Sequence, residues 1–164
     1  MRSSLLFRWY WLGLVTLLVA LYLLIRLSSL PATTTTDEPF WLGRSANFFS
    51  ALWHGRFEDT FQHAHPGVTT MWAGMVGYLV AAPDYARMFD TNLGFPYDIH
   101  NRIREMGLSE MDVLNASRTV KVALQAALFA LSLRHLRRMF GQEVAITAGL
   151  LIALDPFLIA HDRL

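Results

Sequence analysis

The sequence contains no cysteine, so disulfide bonds and cysteine-ligated zinc sites are excluded. Charged residues are also scarce, at 16 % of the 164 residues, and the formal net charge is only +1. No stretch combines clustered Lys or Arg with interleaved aromatic residues, so we expect no nucleic acid among the partners. These absences leave the apolar segments as the main source of information about fold and function.

Apolar residue types make up 54 % of the chain, and the mean hydropathy is positive. This composition predicts an all-α integral membrane protein whose first partner is the lipid bilayer. Residues 5–30 form the first apolar run, and because about 20 apolar residues cross a bilayer, we expect a transmembrane helix there. No small-residue cleavage site follows, so this helix is predicted to stay uncleaved, with a signal anchor as a close variant.

Two further apolar runs, residues 113–133 and 143–160, predict a second and a third span. Residues 37–111 lie between the first two spans and contain two shorter stretches. In the stretch 38–54, aromatic and polar residues recur at helical spacing, which is typical of a helix lying in the membrane interface. The stretch 66–82 is apolar but shorter than a usual span, so it either crosses the membrane or dips into it and returns.

The basic residues after the second span decide the predicted topology. Arg134, Arg137 and Arg138 follow that span directly, and short loops rich in Lys and Arg usually face the cytoplasm. With a cytoplasmic N-terminus in the plasma (inner) membrane, the cluster lies inside only if residues 66–82 do not cross. We therefore predict one membrane domain with three spans and residues 37–111 as an external loop, and a fourth, short span remains the alternative.

An acidic pair, Asp37 and Glu38, directly follows the first span. One interpretation is structural: Asp37 caps a new helix and Glu38 complements the helix dipole. The other is catalytic, because a carboxylate partly withdrawn from water holds its proton more readily, which suits a general base at the membrane surface. Since adjacent residues point to different faces of a helix, we expect only one of the two carboxylates to take part in catalysis.

Arg118 lies within the second predicted span, where an ionisable side chain is costly and often functional. It either extends to the interface or binds the phosphate of a lipid-linked donor through its planar guanidinium. His63 and His65 could ligate a metal, but nothing nearby completes a metal site, so a helix-start or phosphate-contacting role for His65 is favoured and no cofactor is predicted. Pro156 is expected to break the third span, with Asp155 bonding the backbone amides that the break frees.

Taken in order, these features resemble the N-terminal part of the GT-C-fold membrane glycosyltransferases of family 39, which include protein O-mannosyltransferases and lipid A aminoarabinose transferases. The acidic pair after the first span and Arg118 at the start of the second span match this group. His65-Pro66-Gly67 stands where the group has His-Pro-Pro. A basic inner loop then precedes an Ala/Leu-rich span that ends near Arg163.

The resemblance implies a partial GT-C fold and the inverting transfer of a sugar from a polyprenyl-phosphate donor to a hydroxyl of a protein or glycolipid acceptor. It implies that Asp37 is the catalytic carboxylate and that Glu38 assists it. The residues that it places near the donor phosphate are His65, Arg118 and Arg163. Members of the group are much longer, so the chain is expected to be incomplete on its own, as a truncated frame or as one part of a split protein.

A second class of function is also consistent with the residues. The chain is a non-catalytic membrane subunit or assembly partner if Asp37 only caps a helix and Arg118 only extends to the interface. Replacing both residues by Ala would then change stability or partner binding and nothing else.

Overall fold

The computed structural model describes residues 2–28, 30, 34–62, 67–89 and 98–161, with side chains described between Trp9 and Ala160. Every regular element in this part of the chain is helical and no strand occurs in it, which confirms the all-α prediction. One 3-10 turn, Phe57–Thr60, accompanies the α-helices. The α-helices are α1 (Arg2–Leu27), α2 (Glu38–Trp53), α3 (Val68–Ala81), α4 (Tyr85–Met88), α5 (Ile99–Glu105), α6 (Glu110–Phe140), α7 (Gln142–Leu154) and α8 (Pro156–His161).

The ends of the helices follow local sequence signals. Pro39 stands in the first turn of α2, where its missing N–H costs no helical hydrogen bond. Just past the end of α2, Gly55 has a φ of +69°, a left-handed conformation that glycine adopts without a steric penalty. Between α6 and α7, Gly141 has a φ of +93°. It allows two long helices to follow one another across a single residue.

Residues 84–111, the last part of the predicted external loop, are partly helical. It contains α4 and α5, and residues 90–97 lie outside the described part. Tyr85, Ile99 and Ile103 from these short helices are at most 1 % exposed. These residues supply part of a hydrophobic core.

The last two apolar runs also differ from the predicted bounds. α6 extends beyond residues 113–133 at both ends and has 31 residues. The run 143–160 is not one helix, because α7 ends at Leu154 and α8 begins at Pro156. The N–H groups of Phe157 and Leu158 donate to Oδ1 of Asp155 at 2.8 and 3.0 Å. The break at Pro156 and the role of Asp155 in bonding freed amides are thus confirmed.

The chain divides into two compact units, where the sequence predicts a single domain. The terminal unit comprises Met1–Ser29 and Val122–Arg163, and the central unit comprises Leu30–Lys121. In the terminal unit α1 packs against α7, around a core of Trp11, Leu18, Tyr22, Ala126, Phe129, Leu133, Ala145 and Ala153. In the central unit α2 packs mainly against α3, around a core of Leu42, Ala46, Phe49, Tyr78, Ala82, Tyr85, Ala86, Ile99, Ile103 and Val113.

Among the described helices, α1 alone is both long and apolar enough to cross a bilayer. Its stretch Trp9–Leu27 has a mean hydropathy of 2.0, and 22 % of it is buried within the protein. The apolar helices α3 and α7 have only 14 and 13 residues, fewer than the roughly 20 that a span needs. The number of spans and their orientation remain a prediction.

Candidate functional site

Glu38 and Arg118 form a buried ion pair in the central unit. Their side chains are 4 % and 3 % exposed. Nε of Arg118 donates to Oε1 of Glu38 at 2.8 Å, and Nη2 donates to Oε2 at 2.8 Å. A planar guanidinium and a carboxylate joined by two such bonds are held more strongly and in a more defined orientation than by one bond.

Further hydrogen bonds surround the pair. Nη1 of Arg118 donates to the backbone carbonyl of Leu30 and, at 3.4 Å, to Oδ1 of Asn115. The backbone N–H of Thr35 donates to Oε2 of Glu38 at 2.7 Å. A buried ion pair persists only when hydrogen bonds of this kind satisfy its other polar atoms. Extension of Arg118 to an interface is therefore wrong, because its guanidinium is held inside the unit.

The helices that carry the pair begin at defined positions. Glu38 is the first residue of α2, where a carboxylate complements the helix dipole. α6 begins with a capping box in which the N–H of Asp112 donates to Oγ of Ser109 and the N–H of Ser109 donates to Oδ2 of Asp112. Arg118 then follows about two turns into α6. Local signals thus set the start of each helix that carries one of the two charges.

Two glycines of α3 allow close packing beside the pair. A Cβ atom on Gly74 would lie 2.1 Å from Oγ of Ser45 in α2. A Cβ atom on Gly77 would lie 2.7 Å from the backbone of Ser117 in α6. Both distances are too short for a real contact, so any larger residue would push α3 away from its neighbours.

The ion pair lines a small cavity within the central unit. Its volume is about 20 Å³, which is enough for a single water molecule. A sugar phosphate does not fit in this space. The lining residues are Glu38, Trp41, Leu42, Ser45, Thr70, Gly74, Leu114, Ser117, Arg118 and Lys121.

Asp37 differs from Glu38 in its exposure and in its contacts. It occupies the N-cap position of α2, as the structural interpretation expects. Its side chain makes no capping hydrogen bond, however. The side chain is exposed, and Asp37 is not among the residues that line the small cavity. The described residues therefore leave its carboxylate open to a ligand and do not supply the withdrawal from water that the sequence suggested.

Two of the predicted phosphate-binding residues, His65 and Arg163, lie outside the described residues, as does His63. The third predicted phosphate-binding residue, Arg118, lies in the described part of the chain, and its guanidinium binds Glu38. Within the described part of the chain, no group of three or more His, Asp or Glu side chains is arranged to hold a metal ion.

Tyr85 was not singled out from the sequence, although it lies in the core of the central unit. Burial raises the pKa of its hydroxyl to about 12, and the nearby Arg102 lowers that pKa only in part. The hydroxyl therefore keeps its proton at neutral pH, and Tyr85 does not compete with Asp37 for the role of a base.

The pairing of Glu38 with Arg118 was also missed from the sequence, where the two were considered separately. A signal was present, because an arginine inside an apolar helix needs an opposite charge or several carbonyls. The sequence does not say which acid provides it.

No protein-family model, curated protein sequence or solved structure matches the chain.

Proposed function

We propose that the chain is part of a membrane glycosyltransferase that moves a sugar from a polyprenyl-phosphate donor to an acceptor hydroxyl, with Asp37 as the general base. The observation that carries the proposal is the contrast within the acidic pair. Glu38 is locked by Arg118 inside the central unit, whereas the neighbouring Asp37 carboxylate is exposed and makes no cap. Glu38 anchors the start of α2, and the Asp37 carboxylate is accessible to a substrate.

In this reaction Asp37 takes the proton of the acceptor hydroxyl as the hydroxyl oxygen attacks the anomeric carbon of the donor. The bond from that carbon to the phosphate oxygen breaks, and its electron pair leaves with the phosphate. Attack from the opposite face inverts the configuration. A carboxylate placed within hydrogen-bond reach of the hydroxyl typically contributes about 10²–10⁴-fold to such a rate.

Glu38 acts as a positioning residue in this proposal. Its two bonds to Arg118 fix the first turn of α2, and Asp37 immediately precedes that turn. Holding a base within a fraction of an ångström of its substrate is worth a large part of a catalytic effect. Arg118 can reach a donor phosphate only by sharing its guanidinium with Glu38.

The donor itself must bind on a wider surface than the small cavity. That cavity, at about 20 Å³, holds one water molecule, so lipid or further protein would have to complete the donor site. The bilayer is part of the proposal, and the apolar stretch Trp9–Leu27 supports it by its length and composition.

The test is transfer of labelled sugar from a polyprenyl-phosphate donor in membranes that contain the full-length protein. Asp37→Asn should lower the rate by about 10²-fold or more. Asp98→Asn is a matched control, because Asp98 is also an exposed N-cap residue, of α5, without a capping hydrogen bond. It should leave the rate unchanged. Equal rates for both variants would rule out Asp37 as the base.

The competing function, a non-catalytic membrane subunit, makes a different prediction for the same membranes. The wild-type protein would then add no transfer activity, and Asp37→Asn would change nothing. The buried pair on its own fits such a structural role, because Glu38 and Arg118 satisfy one another inside the central unit.

A further inference from the structure

The terminal unit contains a second and much larger concavity, which we call the arginine cleft. It has a volume of about 540 Å³, within the range of ordinary small-molecule sites. Its lining comes from α1 and from the last turns of α6. The lining residues are Trp11, Leu12, Arg134, Arg137 and Arg138.

The charge of the arginine cleft has one sign. All of its ionisable lining residues are arginines, and no acidic side chain lines it in the described part of the chain. Arg134 and Arg138 are exposed, and neither guanidinium makes a hydrogen bond or an ion pair with another described residue. Three guanidinium groups around one space repel one another unless an anion lies between them.

The other two residues that line the arginine cleft are apolar. Trp11 is 7 % exposed, and the guanidinium carbon of Arg137 lies 4.5 Å from the centre of a Trp11 ring. This cation–π contact holds the Arg137 guanidinium against the Trp11 ring. Leu12, in contrast, is 52 % exposed. A cationic rim next to an exposed aliphatic side chain fits a ligand that is anionic at one end and apolar at the other.

We propose that the arginine cleft binds the phosphate headgroup of an anionic phospholipid. Arg134 and Arg138 bind the phosphate oxygens, since a guanidinium offers two parallel N–H donors to them. An acyl chain lies against Leu12. Basic pockets beside membrane helices bind anionic headgroups in this manner. The proposal rests on the membrane location proposed above, but not on the transfer reaction or on Asp37.

A solvated basic surface is the alternative explanation of these arginines. Such a surface would attract every anion weakly and would not distinguish inorganic phosphate from a phospholipid. The arginine cleft differs because two apolar side chains, the buried Trp11 and the exposed Leu12, also line it. This apolar part makes a lipid preferable to a free phosphate ion.

The experiment measures lipid retained by the purified full-length protein in neutral detergent, by native mass spectrometry. The protein is mixed with equal amounts of phosphatidylglycerol and phosphatidylcholine. We expect about tenfold more phosphatidylglycerol than phosphatidylcholine to be retained. The double variant Arg134→Gln/Arg138→Gln should retain both lipids equally. Unchanged preference in this variant would overturn the proposal.

A matched control removes two positive charges from the central unit. Arg87→Gln/Arg104→Gln should keep the tenfold preference, because both arginines are exposed residues outside the arginine cleft. Equal loss in the control would show that net charge alone attracts the lipid, and this would also overturn the proposal. Arg134→Lys/Arg138→Lys keeps the charge without the guanidinium fork, so it should lose part of the preference while the fold is retained.

A third measurement distinguishes a phospholipid headgroup from free inorganic phosphate as the ligand. Inorganic phosphate at about ten times the lipid concentration should leave phosphatidylglycerol bound. Complete displacement would assign the arginine cleft to a free phosphate ion and reject the lipid. Loss of transfer activity in Asp37→Asn has no bearing on any of these results, so the two proposals fail independently.

Discussion

Among the side chains that the structure describes, one arginine is buried in each of the two units, and the two make different contacts. Arg118 in the central unit is 3 % exposed and is paired with the carboxylate of Glu38. Arg26 in the terminal unit is 2 % exposed and donates from Nη1 to the carbonyl of Ala153 at 3.1 Å and from Nη2 to that of Ile152 at 3.4 Å. One charge is neutralised by an opposite charge, and the other is solvated by carbonyl groups.

The carbonyls that receive Arg26 are available for a local reason. Pro156 has no N–H, so it cannot donate to the carbonyl of Ile152 one turn earlier. The N–H of Phe157 donates to Asp155 and so does not reach Ala153. These two carbonyls are at the C-terminal end of α7, where a positive charge is also favoured by the helix dipole.

The comparison teaches that a buried arginine in an apolar helix does not by itself indicate a binding site. Arg26 donates hydrogen bonds to carbonyls at the end of α7. The centre of the Tyr22 ring lies 3.5 Å from its guanidinium carbon. Arg118 fixes the start of α2, next to the candidate base. Three substitutions test how much each of these contacts contributes to stability.

The largest effect is expected for Arg118→Met, which leaves Glu38 buried without its counter-charge. Breaking one partner of a buried ion pair costs about 3–5 kcal/mol. The free energy of unfolding, measured by titration with a denaturing detergent, should fall by that amount. The double variant Glu38→Leu/Arg118→Met should recover most of the loss, because no buried charge then remains. A double variant as unstable as the single one would show that the pair is not the cause.

A smaller effect is expected for Gly77→Ala in the central unit. The added Cβ meets the backbone of Ser117, which cannot move aside, and overpacking of this kind costs about 1–3 kcal/mol. Gly149→Ala in the terminal unit is the matched comparison, because its Cβ meets only side-chain ends of Leu133 and Leu18, at 2.7 and 3.1 Å. Gly149→Ala should cost less in the same titration. The reverse order would contradict the close packing of α3 against α6.

The smallest effect is expected for Arg26→Met, which removes the donors to Ile152 and Ala153. Leaving a carbonyl without its donor costs about 1–3 kcal/mol when it is fully buried, and Ile152 is only partly buried, so a loss of about 1 kcal/mol is expected. In a Pro156→Ala background the helix can continue and bond these carbonyls itself, so the cost of Arg26→Met should shrink. An undiminished cost would mean that Arg26 acts through Tyr22 instead.

Sequence patterns predicted the helices well where the signals are local. The acidic start of α2, its end before Gly55 and the break at Pro156 all follow from residues within one turn of the event. The helices α4 and α5 in the segment 84–111 were not predicted, because they are too short to show a clear period. Their burial depends on Tyr85 and Ile103 packing against helices that are distant along the chain.

Local sequence signals are enough to predict the helices in the described part of the chain, the acidic pair at a helix start and the interruption of the last apolar run. Which of the two acids is buried depends on tertiary packing, because Glu38 and Arg118 are 80 positions apart and no local rule joins them. Tertiary packing also decided that Arg134, Arg137 and Arg138 surround one cleft with Trp11. The physical reason is that backbone hydrogen bonds act between near neighbours, whereas charge pairing and burial depend on residues that meet only when the helices pack.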